Sequence, residues 1–310
     1  MRKYPDFIII GAMKCATSTL HAQLARQPGF FMTEPKEPFF FSDDPVFAKG
    51  FEWYDGLFEG AGPGELTGES STHYAKLPTY PKTVERIAAH NPDARFIYVM
   101  RHPIDRLVSQ YIHQWTKREI RVPIDKAIEQ HGELIAYSKY AMQLTPYIQT
   151  FGHERICPVF FERLTAEPEA ELKRVCAFLG RGGEPRWHEE EAQQNISAEK
   201  LRLTPLQREL LLDNPLLTRI RHALVPKGLR EWVKGRMRMR ERPQLSLGST
   251  ARLEGIFDED LAILGAWLGM DLRCQTFKDA ARSQVPAWTP VAETVREDSA
   301  NPNCSGIPVT

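Results

Sequence analysis

Lys14, Thr17, Ser18 and Thr19 follow directly on an apolar run, residues 7–10, that Gly11 ends. A cation and three hydroxyls so placed suit an anion. A tight turn between a strand and a helix lets backbone N–H groups converge on a phosphate, and the helix N-terminus adds about half a positive charge. Lys14 would be a mobile cation in that turn. Ala16 belongs to the same turn, and Cys15 is either a small packing residue or a thiol that the electropositive setting activates. The loop is not G-x-x-x-x-G-K-[ST]: its lysine comes too early and its second glycine is missing. The magnesium-binding logic of an ATPase is therefore not met.

Three further groups could carry chemistry. Glu37 is followed closely by Phe39, Phe40 and Phe41. It is either a solvated carboxylate beside core phenylalanines or one whose charged form an aromatic wall disfavours, which would raise its pKa toward that of a general base. The hydroxyls of residues 70–72 and His73 could contact phosphate or substrate, or belong to an ordinary turn. Arg101 follows an apolar run, and Ser109 lies about two helical turns on. A guanidinium there suits a bidentate phosphate contact that the serine completes, or a helix-capping pair with Asp105.

The elements that must position these residues are readable. Residues 7–10, 96–100 and 156–161 read as buried strands, and residues 68–78 as a short strand running into a loop. Leu20 and Leu24 mark a helix that Pro28-Gly29 stops; Val84, Ile87 and Ala88 mark another, closed near Asn91-Pro92. Pro103 fits the first turn of the helix that carries Leu107, Val108 and Tyr111. In an open parallel sheet ligands bind at the strands' C-terminal ends, so Arg101 and the Gly11 loop would share one edge. Residues 121–151 read as helices, as does the stretch from Glu169 to Leu179. The basic run 219–243 is a solvated face with snorkelling arginines, a contact for an anionic membrane or glycan, or a lid with cofactor-binding arginines. Residues 279–310 are Pro-, Ser- and Asn-rich without periodicity and read as a mobile tail.

At 310 residues the chain can bury one large core or two small ones. The net charge of zero implies no global attraction to nucleic acid or membrane. Five cysteines without C-x-x-C argue against a disulfide framework or a zinc knuckle, and suggest reduced thiols in the cytoplasm. The N-terminal apolar run is too short for a signal peptide, and no stretch approaches the ~20 residues of a membrane span.

Strand, G-x-x-K-x-x-T and helix resemble the 5′-phosphosulfate loop of sulfotransferases that use 3′-phosphoadenosine 5′-phosphosulfate (PAPS). Arg101, Pro103, Arg106, Ser109 and Tyr111 resemble the same family's 3′-phosphate motif. KEPFFF, residues 36–41, is similar to the E-x-[HQF]-F-F segment of the glycan branch, including the heparan-sulfate enzymes. Residues 238–245 resemble that branch's K-G-R-x-H-P-x-[ILV] loop, with Met239 in place of its glycine. Residues 160–180 and the C-terminal L…LG-x-D-L stretch are similar to family scaffold segments.

The resemblance covers residues 5–277. It implies one α/β, P-loop-NTPase-like three-layer domain over 1–278, with a central parallel sheet flanked by helices and a helical cap at 181–242. It implies sulfuryl transfer from PAPS to a hydroxyl or amine on a carbohydrate, lipid or small metabolite, without a metal. Adenosine 3′,5′-bisphosphate (PAP) would be the product. Glu37 would be the base and Lys14 would stabilise the leaving group. Residues Cys15, Ala16, Thr17, Ser18 and Thr19 would hold the 5′-phosphate; Arg101, Ser109, Arg238 and Arg240 would hold the 3′-phosphate. Ser70, His73 and Tyr140 are candidate substrate contacts, with His73 a reserve base. The heparan-sulfate enzymes carry E-K-[ST] where this chain has Glu69-Ser70-Ser71; Ser70 brings no cation, so a highly anionic polysaccharide is the less expected acceptor. A nucleotide kinase or a non-catalytic nucleotide- or membrane-binding protein are the alternatives.

Overall fold

The computed structural model describes residues 4–190 and 242–289. Five strands form one sheet: β1 (Phe7–Gly11), β2 (Phe30–Met32), β3 (Leu66–Ser70), β4 (Arg95–Met100) and β5 (Ile156–Phe160). Their order is β2-β3-β1-β4-β5, with every pairing parallel. Strands buried on both faces need continuous apolar runs, and Phe7, Ile8, Ile9 and Ile10 are wholly buried. Gly68 serves this packing, because a Cβ there would lie 2.3 Å from Cζ of Phe7. β3 meets the short strand expected near Gly68, starting two residues earlier; β2, with only three residues, was not legible as a strand.

α1 (Thr17–Ala25) leaves the loop after β1, and α2 (Asp44–Phe47) and α3 (Gly50–Gly56) follow β2. α4 (Thr83–His90) precedes β4, and α5 (Pro103–Thr116) starts at the expected proline. Residues 121–151 contain α6 (Ile124–Gln130), α7 (Glu133–Ala136) and α8 (Tyr140–Phe151). α9 (Phe161–Ala166) and α10 (Pro168–Phe178) follow β5. α11 (Leu247–Leu268) starts at Ser246, whose Oγ accepts from Ser249 N, and ends at left-handed Gly269. α11 and α8 are tied together: the buried Asp260 carboxylate accepts from Ala141 N (2.9 Å) and Met142 N (3.0 Å), the first amides of α8.

The order continues past residue 278, where a mobile tail was expected. α12 (Phe277–Ser283) packs Phe277 against Phe160, and Trp288 Nε1 donates to Ile156 O at 2.6 Å. Residues 290–310, and 191–241 of the expected helical cap, lie outside the described residues.

Candidate active site

A cleft of about 1080 Å³ opens at the C-terminal ends of the strands. The sheet order decides what meets there. β1 is central, so its loop occupies the switch point, where such sheets bind ligands. Glu37, Phe39, Thr72, His73 and Lys76 reach the cleft from the β2 and β3 side. Arg101, Phe161, Leu164 and Thr165 reach it from the β4 and β5 side. Lys14, Ala16, Thr17, Ser18 and Thr19 line the middle. Four of the candidate elements, separated widely in sequence, thus face one space.

The loop after β1 is held from several directions. Ala12 N donates to Val99 O at 2.8 Å, and Cys15 N donates to Ala12 O at 3.2 Å. Lys14 and Ala16 have φ of 72° and 64°. Ala16 is the N-cap of α1 and has no side-chain cap, so the helix's first amides are not covered by one. Arg106, wholly buried in α5, braces the loop from beneath: its Nη1 reaches Met13 O at 3.5 Å, while Nη2 donates to Gln110 Oε1 (2.7 Å) and Leu134 O (2.9 Å). Cys15 does not join the cleft lining. It is wholly buried, burial pushes its thiol up to about 12, and its amide is used within the turn. It is a packing residue.

Glu37 sits on an extended segment pinned along β3. Thr33 N donates to Gly68 O (3.0 Å), Glu37 N to Ser70 O (2.9 Å), and Phe39 N to Ser71 Oγ (3.2 Å). Glu37 Oε1 accepts from Lys36 Nζ at 2.9 Å and from Thr72 Oγ1 at 3.0 Å. The expected rise of its pKa is reversed. Burial does push the carboxyl up, but the Lys36 ammonium, the two hydrogen bonds and the charge of Lys76 outweigh it, and the net shift is downward. Glu37 and Phe39 share the left-handed backbone region, with φ of 61° and 57°. Four of the five non-glycine residues at positive φ among the described residues therefore line this cleft.

His73 lines the cleft, stacked between Phe39 (3.9 Å) and Tyr80 (4.6 Å). Burial and then the charge of Lys76 hold it down at about 4, so it is neutral. Ser70 is turned away: it is buried and bonds His21 Nδ1 at 2.8 Å between β3 and α1. Tyr140 is not a substrate contact either. It is wholly buried, its hydroxyl donates to Arg101 O, and it accepts from Arg101 N at 3.2 Å. It props the end of β4.

Arg101 lays its guanidinium over Phe161 at 4.4 Å and lines the cleft with Ser109. It does not make the capping pair with Asp105. Asp105 pairs instead with Arg242 (2.9 Å) and Lys278 (2.7 Å). Arg238 and Arg240 lie outside the described residues, but the described chain resumes at Arg242, which pairs with Asp105 in the first turn of α5.

Two features of the site had little signal. Gln23 in α1 and Gln27, just past its C-cap Arg26, clip an extended segment. Gln23 exchanges hydrogen bonds with the backbone of His188 (2.7 and 2.8 Å), and Gln27 with that of Arg186 (2.9 and 3.0 Å). Trp187, held between them, lines the cleft. Two glutamines four residues apart, at the end of the helix that follows the loop, were the available clue. Lys76 had none.

Residues 57–185 match the profile described as the Sulfotransferase family. The chain is 32% identical over 191 residues to heparan sulfate glucosamine 3-O-sulfotransferase 3B1 of Mus musculus, covering 58% of this chain and 47% of that protein. It is 33% identical over 172 residues to the membrane-associated sulfotransferase kil1 of Dictyostelium discoideum, covering 53% of this chain and 33% of that one. The chain thus spans about half the length, or less, of these relatives. A solved sulfotransferase from Alicyclobacillus acidocaldarius shares the fold, with a TM-score of 0.62 at 23% identity over 87% of this chain and 97% of that chain; the fold is the P-loop-NTPase-like one.

These relatives correct the expected cytoplasmic placement, because heparan sulfate enzymes and a membrane-associated protein do not point there. The cysteines misled for a physical reason. Cys15, Cys157, Cys176 and Cys274 are free and buried, so they report packing rather than the redox state of a compartment. No helix among the described residues is long and apolar enough to cross a membrane. The loop, Glu37 and Arg101 are thus gathered at one switch point, in a chain that is similar over residues 57–185 to the sulfotransferase family and shares the fold of a solved sulfotransferase.

Proposed function

We propose that the protein transfers a sulfuryl group from PAPS to an acceptor hydroxyl, with Glu37 as the base. The observation that carries this reading is the shared cleft: an anion-binding loop, a carboxylate and a separate guanidinium face one volume from three sides of β1. The donor set fits a polyanionic nucleotide, since Lys14 and Arg101 line that volume with the hydroxyls of Thr17, Ser18, Thr19 and Ser109. Bound PAPS supplies the sulfuryl group and departs as PAP.

The chain's own residues then have distinct tasks. The first amides of α1 and the hydroxyls of Thr17, Ser18 and Thr19 hold the 5′-phosphate. Lys14 places a cation where charge grows on the bridging and sulfuryl oxygens. Arg101 and Ser109 hold the 3′-phosphate. Arg238 and Arg240 precede Arg242 by a few residues, at most about 15 Å of chain, which supports their reaching the same phosphate. Trp187 narrows the cleft on the α1 side. Glu37 receives the acceptor's proton: Oε1 is held by Lys36 and Thr72, whereas Oε2 has no hydrogen bond among the described residues. The same two partners keep the base ionised and oriented.

The heparan sulfate names of the relatives favour a glycan acceptor. The test of the reading is calorimetric binding of PAP in EDTA, with AMP and ATP as comparators. Metal-independent binding that requires the 3′-phosphate is expected. A preference for ATP with magnesium would instead favour a kinase, and no nucleotide binding would overturn the proposal.

A further inference from the structure

Lys76 is a charged residue of the cleft that takes no part in the mechanism above. It is 8% exposed and lines the cleft on the side of Glu37. Among the described residues its ammonium makes no hydrogen bond and no ion pair; its contact is the face of Tyr137, 5.7 Å away. The carboxylates near it are engaged elsewhere. Glu37 Oε1 is held by Lys36 and Thr72, and Asp43 lies 3.4 Å from His73. A nearly buried ammonium without a partner is costly. Burial, together with the charges of Arg106 and Lys117 and against that of Glu37, brings Lys76 down to about 8, so it remains charged at neutral pH.

Its position separates it from the donor. The phosphate-binding groups stand at the β1 loop and on the β4 side, whereas Lys76 stands on the β3 side with the base. That is where an acceptor must lie for Glu37 to take its proton. The rings of Phe39, His73 and Tyr80 form a continuous stack on the same side, a wall against which a sugar ring can rest. Ser70 brings no cation here, yet the same loop, further along, delivers one.

We propose that Lys76 selects the acceptor, by holding an anionic substituent, a carboxylate or sulfate, beside the hydroxyl that is sulfated. This rests on the sulfuryl-transfer reading. It also reverses the expectation drawn from Ser70, since a site with this cation favours a charged acceptor over a neutral one.

The experiment uses the full chain saturated with PAP and measures equilibrium binding of p-nitrophenyl β-D-glucoside, the corresponding glucuronide and the 6-sulfated glucoside. The wild type is expected to bind one or both anionic probes about tenfold or more tighter than the glucoside, the scale of a charge-assisted hydrogen bond. Which of the two is favoured separates carboxylate from sulfate. Lys76→Gln should bring the probes to near parity while leaving PAP affinity unchanged, and Lys76→Arg should keep most of the preference. Equal binding of the three probes by the wild type, failure of all three to bind, or a preference that survives in Lys76→Gln would overturn the proposal. Failure of the wild type to bind PAP would instead sink the sulfuryl-transfer reading itself.

Discussion

Glu37 and Glu69 show how neighbours set what a carboxylate does. Glu37 has its pKa held below the ordinary value of 4.5, so the acid limb of its kcat/KM profile should fall below the usual glutamate range. A limb at pH 6 or above would exclude Glu37 as the titrating base. Glu37→Gln should cut kcat by about 10²–10⁴-fold with PAP affinity retained; an active variant would remove it from the mechanism. Glu69, wholly buried in β3, is the opposite case. Burial raises it from 4.5 to about 8, against the pull of the Tyr74 and Tyr54 hydroxyls. It is neutral in the folded protein at pH 7 but ionised when unfolded. Its contribution is therefore whole below pH 4.5 and is lost as pH rises toward 8, at about 1.4 kcal/mol per unit. Glu69→Gln should flatten the fall in stability between pH 5 and pH 8, by up to about 3 kcal/mol at pH 7. Denaturation midpoints at the two pH values measure this, and an unchanged slope would refute it. Glu37 was legible as a candidate from its motif. The direction of its shift was not, because Thr72 and Lys76 reach it only after β3 has been laid beside the segment that carries it.

α1 acts as more than a phosphate-facing terminus. Its C-terminal end, with Gln27 just beyond it, fixes the stretch that presents Trp187, through two side-chain amides that imitate a strand edge. Gln23→Ala with Gln27→Ala removes the four hydrogen bonds to the Trp187 segment, and the one from Gln27 Nε2 to Gln23 O. At about 1 kcal/mol each, this should free the Trp187 segment before the sheet melts. Faster amide exchange at residues 186–188, with that in β1 unchanged, is the expected readout; equal loosening of both would mean that the clip merely stabilises the fold. The helices legible in sequence were those with strong apolar periodicity or a proline start, such as α4 and α5. α2 and α7 have only four residues each, too few for periodicity to register.

The order of the strands does for the whole molecule what no local pattern announces: it brings the loops after β2 and β3 and the ends of β4 and β5 to opposite flanks of one loop. Apolar runs identified β1, β4 and β5, but which strand lies beside which depends on pairing across the chain. The C-terminal part is tied into the same arrangement, since Lys278 meets Asp105 and Trp288 meets Ile156. A chain ended at residue 276 loses both contacts and the wholly buried Phe277. Its melting temperature should drop by several degrees or more; an unchanged value would show that the segment is dispensable. The backbone at Lys14, Ala16, Glu37 and Phe39 has a different consequence. An L-residue in the left-handed region gives up roughly 1–2 kcal/mol, and a glycine recovers part of that. Ala16→Gly should leave the protein no less stable to heat while its hold on PAP weakens, because a freer turn presents the amides of α1 less firmly. Selection for durability and selection for turnover would then push these four positions in opposite directions, which marks them as places where a hardier protein would become a slower one.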